Sequence, residues 1–263
     1  MNLTRYADRR ALVTGGGSGI GQATVLRLLA EGGRVVAADI SEAGLKDTEQ
    51  KAGATAGRLT TLVVDVADEA SVRAGVAAAV TALGGLDVLV NAAGVLRSSH
   101  THETSLDSFE QVLRINLTGT FLMIRESIPS LLEGEDAAVV NFSSTSAAFA
   151  HPYMAAYAAS KGGIQSMTHA LASEYAKRGI RFTAVQPGSI SSGMTDGSGA
   201  SGQSHGPGLP EDADLSLFAK LAPAIGQGFA GPETVASVVA MLASEDGGFI
   251  TGTEIRVDGG THF

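Results

Sequence analysis

The chain has 263 residues, 44% of them hydrophobic, and its 18 basic and 27 acidic side chains give a formal charge of −9. That length and apolar share suit one buried α/β core, and the negative balance argues against a sequence-independent grip on nucleic acid or an anionic membrane. No cysteine is present, which excludes disulfides, thiolate catalysis and cysteine-ligated zinc or iron–sulfur sites.

The opening segment Met1–Arg10 is polar and lacks the apolar run of a secretory signal. The uncharged stretch Ala74–Leu86 is broken by Gly84-Gly85 and followed by Asp87, too short to span a bilayer. Both features predict a cytoplasmic protein with no membrane partner. Short apolar runs then recur as buried parallel strands at Ala11–Thr14, Arg34–Asp39, Leu59–Val66, Asp87–Asn91, Ala137–Ser143 and Ile180–Gln186.

Helical spacing fills the intervals. The first helix carries Ile20, Thr24 and Leu28, with Val25 and Leu29 alongside, and stops at Gly32-Gly33. Ser41, Asp68, Ser105 and Pro232 mark further helix starts, and Gly179 ends a helix that begins near Tyr153. Six strand–helix units plus a last strand at Glu254–Val257 predict a single-domain, Rossmann-type, doubly wound parallel sheet of seven strands with helices on both faces. One stretch breaks the rhythm. Between Ser189 and Gly231 the chain is rich in Gly and contains Pro207, Pro210 and Pro223, with a short apolar helical piece at Leu215–Leu221. A connection this long, after the sixth strand, predicts a mobile flap over a substrate.

The first strand runs into Thr14-Gly15-Gly16-Gly17-Ser18-Gly19-Ile20-Gly21. Gly15 lets the chain turn tightly, while Gly19 and Gly21 let backbone approach a pyrophosphate at a helix N-terminus. The pattern is neither G-x-G-x-x-G nor a Walker A loop, and a strand–helix turn without a ligand would read the same way. Asp39, twenty residues past Gly19 at the end of the second strand, adds weight. A carboxylate there binds the ribose hydroxyls of adenosine and repels a 2′-phosphate, so NAD is favoured over NADP. Its competing role is to cap the helix that starts at Ser41.

Tyr157 and Lys161 lie four apart in a helical segment, hence on one face. A free Tyr titrates near pH ~10, and an adjacent ammonium lowers that value toward useful proton exchange. Y-x-x-x-K alone is equally an ordinary amphipathic pair.

Further motifs remove that ambiguity. T-G-G-G-S-G-I-G at Thr14–Gly21, Asp65-Val66, N-A-A-G at Asn91–Gly94, Asn116 in I-N-L-T-G, Ser144 in N-F-S-S, Tyr157 with Lys161, and Pro187-Gly188 follow one another in order. With the tail F-I-T-G-T-E-I-R-V-D-G-G at Phe249–Gly260, the chain resembles the short-chain dehydrogenase/reductase family over essentially its whole length.

The resemblance implies that Tyr157 is the general acid/base and that Lys161 lowers its pKa while binding ribose. Ser144 would hydrogen-bond the substrate oxygen, and Asn116 would hold a water linking Lys161 to solvent. The glycine turn, through Gly15, Gly17, Ser18, Gly19 and Ile20, would hold NAD together with Asp39. Asp65 and Val66 would meet the adenine, and Asn91, Ala92 and Gly94 would run along the cofactor. Pro187, Gly188, Ile190 and Ser192 would lie near the nicotinamide. No metal is expected: His100 and His102 stand in a polar loop without a ligand set.

Substrate-pocket candidates are Val95, Leu96, Arg97, Thr145, Ser146, His151, Met154 and Met194. The expected reaction is hydride transfer between NAD(H) and a small secondary alcohol or ketone. A 3-oxoacyl thioester is one substrate class, and a sugar, polyol, steroid or cyclic diol is the other. Ser18 stands where the NADPH-dependent acyl-carrier-protein reductases usually carry a basic residue. The non-enzyme alternative is a dinucleotide-sensing regulator, which would be expected to lose Tyr, Lys or Ser from the centre. The family resemblance also implies a homotetramer or homodimer.

Overall fold

Seven short strands dictate the architecture, the central ones too apolar to face water on either side and the two edge strands β3 and β7 partly exposed. The computed structural model describes residues 4–196, 208–226 and 228–262. The strands are β1 (Arg10–Thr14), β2 (Arg34–Asp39), β3 (Leu59–Val63), β4 (Val88–Asn91), β5 (Ala137–Phe142), β6 (Ile180–Pro187) and β7 (Thr253–Val257). They form one all-parallel sheet in the order β3-β2-β1-β4-β5-β6-β7.

Alternation along the strands sends side chains to two cores. Ala11, Val13, Val35, Ala37, Val88 and Val90 join one face, where Val25, Leu28 and Leu29 of helix α1 (Gly19–Ala30) pack. Helix α2 (Glu42–Ala52) adds Leu45, and α8 (Pro232–Leu242) adds Val235 and Val239. Leu12, Val36, Ala38 and Leu89 point the other way. They meet α3 (Glu69–Leu83), α5 (Gly119–Leu131) and α6 (Ala155–Tyr175). Each face buries a dry layer, which is why the strands read as continuous apolar runs.

The structure differs from the expected elements at three places. Strand β3 stops at Val63 instead of Val66 because β2 ends at Asp39; Val64 makes one last bond to the Asp39 carbonyl. Asp65 then turns the chain, its Oδ1 accepting from the Ala67 amide at 2.9 Å. The helix expected from Tyr153 begins at Ala155, since Tyr153 has φ +65, outside the helical region. The helical stretch after Ser105 divides into α4 (Leu106–Leu113), a wide π-turn over Arg114–Thr118, and α5. The bulge carries Asn116, and insertions of this kind recur at functional sites.

Between β6 and α8 the chain makes a one-turn helix α7 (Gly193–Asp196) and a 3-10 helix at Leu215–Leu221. Of the expected flap, residues 197–207 and 227 lie outside the described residues. Its ends meet through an Ile190–Ala230 bridge, with Ser191 N donating to Ala230 O at 2.8 Å. Among the described residues no helix is long and apolar enough to cross a membrane.

Candidate active site

The strand order reverses between β1 and β4, and a crevice opens there at the carboxyl ends of the strands. It is a cleft of about 850 Å³ lined from the glycine turn to the chain's C-terminal tail.

The glycine turn is shaped by close backbone packing. Gly15 has φ +68, and a Cβ there would come within 2.8 Å of the Ala93 amide nitrogen. At Gly21 a Cβ would sit 2.1 Å from the Gly15 carbonyl oxygen, so any side chain would push the turn off the helix. Thr48 Oγ1 donates to Gly16 O at 2.8 Å and braces the turn from behind. Ser18 caps α1 with an extended backbone and makes no side-chain cap bond, and the first turn of α1 carries no acidic side chain. The free amides and the helix dipole together suit an anion. Gly15, Ser18, Gly19 and Ile20 all face the cleft.

Asp39 borders the same space. Its Oδ2 accepts from Gly17 N at 3.0 Å and its Oδ1 from Ser41 N at 2.9 Å. The carboxylate thus faces the cleft and ties the glycine turn to the start of α2, where Ser41 itself caps the helix by accepting from Gly44 N. Asp65, Val66, Ala92, Gly94, Pro187, Gly188, Ile190 and Ser192 also line the cleft.

Three expected residues sit elsewhere. Gly17 lies beneath Asp39, where a Cβ would come within 2.9 Å of the Asp39 carboxyl carbon. The Asn91 side chain bridges β4 to β5, donating to Asn141 Oδ1 at 2.9 Å. Asn116 is fully buried, and its amide clasps the loop after β4: Oδ1 accepts from Val95 N at 2.8 Å while Nδ2 donates to Val95 O and to Ser160 Oγ. These bonds brace the backbone of the Val95 loop.

Tyr157, Ser144 and Lys161 converge at the β5 end of the cleft. Tyr157 is 8% exposed and Lys161 3%. Ser144 stands at the head of a 3-10 turn, its hydroxyl accepting from Ser146 N at 3.1 Å. The neighbouring Ser143 turns its hydroxyl to the Lys161 carbonyl at 3.0 Å, which leaves Ser144 as the partner of Tyr157. Lys161 Nζ donates to Phe142 O at 2.7 Å. Burial pushes the Tyr157 hydroxyl above its ordinary value, with the Ser144 hydrogen bond pulling the other way. Burial also lowers Lys161 to about 8. At Tyr157 desolvation therefore dominates over the Ser144 hydrogen bond.

On the substrate side, Val95, Leu96, Thr145, His151, Met154 and Met194 line the cleft, whereas Arg97 and Ser146 do not. The Arg97 guanidinium donates instead to Leu96 O at 2.9 Å. His100 pairs with Asp212 at 2.8 Å, and among the described residues no cluster of three or more His, Cys, Asp or Glu forms a metal-binding group. Thr195 and Phe218, within the expected flap, line the cleft as well, and Thr195 Oγ1 donates to Ser192 O at 2.8 Å. The sequence reading missed Thr261 and His262, which also line it.

The chain matches the family model for short chain dehydrogenases over residues 9–201. It is 34% identical to the 3-oxoacyl-acyl-carrier-protein reductase of Thermotoga maritima, covering 97% of this chain and 98% of that one. A short chain dehydrogenase from Mycobacterium paratuberculosis, solved bound to NAD, superposes with a TM-score of 0.88 at 30% identity, covering 98% of each chain. Another, from Burkholderia cenocepacia J2315 in complex with NADP, gives 0.84 at 30% identity over 98% of this chain and 99% of that one.

Proposed function

Because the chain belongs to the short-chain dehydrogenase family and is a hydride-transferring oxidoreductase, we propose that it interconverts a small secondary alcohol and its ketone in the cytoplasm, using NAD(H) in preference to NADP(H). The observation that carries this reading is the meeting of Tyr157 and Ser144 on the wall of the cleft that receives the N-terminus of α1.

The residues present fit a dinucleotide. The cradle at Gly15 and Gly21 tolerates no Cβ, which suits close backbone approach to a pyrophosphate. The Asp39 carboxylate suits a ribose with free hydroxyls and opposes a 2′-phosphate, and that favours NAD. When bound, the nicotinamide supplies or accepts the hydride.

The chain's own groups handle the oxygen. In the reductive direction the carbonyl oxygen gains negative character, and Ser144 donates a hydrogen bond to it. Tyr157, kept protonated by burial, gives it the proton. The Lys161 ammonium stabilises the phenolate left behind. Asn116 keeps the Val95 loop in place, so it acts as a positioning residue. Leu106 and Phe121, 69% and 45% exposed on α4 and α5, support association into a homodimer or homotetramer.

A panel of uncharged ketones and secondary alcohols, followed at the reduced-nicotinamide absorbance with each cofactor, tests the reading. Turnover of at least one pair, faster with NAD(H), is the expected result. Dinucleotide binding without any turnover would favour a sensor instead.

A further inference from the structure

Beyond the Ser144–Tyr157–Lys161 centre the cleft has two unlike walls. One is apolar: Val95 and Met154 pack with Tyr157, and Leu96, Met194, Leu209 and Phe218 lie against them. The other is a polar corner of Thr145, His151, Thr261 and His262.

The corner has a defined hydrogen-bonding sense. His151 Nδ1 faces the Phe149 carbonyl at 3.2 Å. A carbonyl only accepts, so the ring proton sits on Nδ1 and Nε2 is an acceptor. Burial lowers the His151 pKa, which keeps the ring neutral near pH ~7. Among the described residues the partner of Nε2 is Thr145 Oγ1 at 3.3 Å, and that same hydroxyl lies 3.5 Å from the Pro187 carbonyl. One hydroxyl proton cannot serve both, and both separations are long for a hydrogen bond. The His151 lone pair is therefore loosely held at the edge of the cleft.

The C-terminal tail fixes the corner from the far side. The His262 ring stacks on Phe149 with centroids 4.0 Å apart and planes 4° apart, and it lies 6.0 Å from the His151 ring. Arg256 donates to the His262 carbonyl, and Asp258 Oδ2 accepts from His262 N at 3.2 Å. His262 Nε2 is buried with no hydrogen-bond partner among the described residues. Charge is scarce here. Among the described residues lining the cleft, Lys161 is the only Lys or Arg, and its ammonium stands beside Tyr157, 5.6 Å from the ring centre, with one hydrogen bond to the Phe142 carbonyl.

We propose that the cleft takes an uncharged hydroxy-ketone and the corresponding diol, with the second hydroxyl donating to His151 Nε2 and the hydrocarbon skeleton lying on the Val95–Phe218 wall. The inference rests on the oxidoreductase reading of the same site. In the reductive direction the carbonyl carbon takes hydride from the reduced nicotinamide and its oxygen takes the Tyr157 proton, while the second hydroxyl is unchanged. His151 is then a specificity residue, and His262 holds the Phe149 segment that sets its tautomer.

The test compares 2-hydroxycyclohexanone with cyclohexanone, using the whole protein and both reduced nicotinamides. The wild type should favour the hydroxy-ketone by about tenfold in kcat/KM, the worth of one good hydrogen bond, with the gain lying mainly in KM. His151→Leu should bring that ratio close to one, and His151→Gln, which keeps an acceptor, should retain part of it. A wild-type ratio near one, or a ratio that survives His151→Leu, overturns the proposal. So does 2-oxocyclohexanecarboxylate turned over as well as the hydroxy-ketone, since it shows that charge is accepted. Failure of every ketone and alcohol with both cofactors would instead remove the oxidoreductase reading and this inference with it. Turnover without hydroxyl preference removes the inference alone.

Discussion

The Lys161 ammonium lies 5.6 Å from the centre of the Tyr157 ring and gives its hydrogen bond to Phe142 at the end of β5. One turn of α6 separates the two side chains, yet burial dominates both: the tyrosine is pushed up and the lysine falls to about 8. A protonated Tyr157 is the form needed to donate a proton to a ketone oxygen. A buried lysine near 8 is still mostly charged at neutral pH, and can hold the phenolate after transfer.

Tyr157→Phe keeps the ring that packs with Val95 and Met154 and deletes only the hydroxyl. Turnover should fall by about 10³-fold, within the usual worth of a positioned acid/base. Dinucleotide affinity should be largely kept. Initial rates and a fluorescence titration with NADH separate the two, and retained turnover would assign proton exchange to another group.

Lys161 should also register in stability. Its folded-state pKa of about 8 lies below the ordinary 10.5. Between those values the unfolded chain binds more protons than the folded one, so stability from this group rises with pH. Below about 8 the full burial cost of the charge is present. Relative to Lys161→Met, the wild type should therefore gain about 2 kcal/mol between roughly pH 7 and pH 9.5. Urea unfolding of both proteins at the two pH values gives the difference. A gap that stays constant would mean that Lys161 is not desolvated as described.

Much of this arrangement was legible from residues near one another in the chain. The short apolar runs Ala11–Thr14 and Arg34–Asp39, and glycines at φ-positive turns such as Gly15, carry their own structure wherever they occur. What was not legible depends on distant partners. Asn91 could have faced the cleft, but Asn141 on the adjacent strand captures it. Asn116, on the π-turn, points inward to the Val95 loop twenty-one residues away. The His262 corner exists only because the tail returns to Phe149. No local periodicity announces such contacts.

Asp39→Ala tests cofactor choice. The carboxylate holds Gly17 N and Ser41 N, so its loss also loosens the turn, and both cofactors should bind less well. In the proposed binding mode, a charge-assisted contact with a free ribose would be lost only for NAD(H), and repulsion of a 2′-phosphate would be relieved only for NADP(H). The ratio of the two dissociation constants should shift by about tenfold or more toward NADP(H). Parallel titrations check this, and an unchanged ratio would move selectivity away from Asp39.

Tyr153 ties the described part of the flap to the catalytic helix. Its hydroxyl accepts from Asp214 N at 2.9 Å, and its ring stacks 6.1 Å from Phe218 and meets His100 edge-on at 5.2 Å. Two residues later α6 begins, and Tyr153 itself holds φ +65, a conformation that costs a bulky residue free energy. Asparagine tolerates that conformation well. Tyr153→Asn should therefore leave the backbone at ease, and melting temperature little changed, while releasing Phe218 and Asp214. Phe218 lines the substrate side of the cleft, so the expected kinetic effect is a KM raised roughly tenfold, with kcat changed less because Tyr157 and Ser144 keep their places. A matching loss in kcat with KM unaltered would show that Tyr153 acts on the catalytic helix and not through the flap.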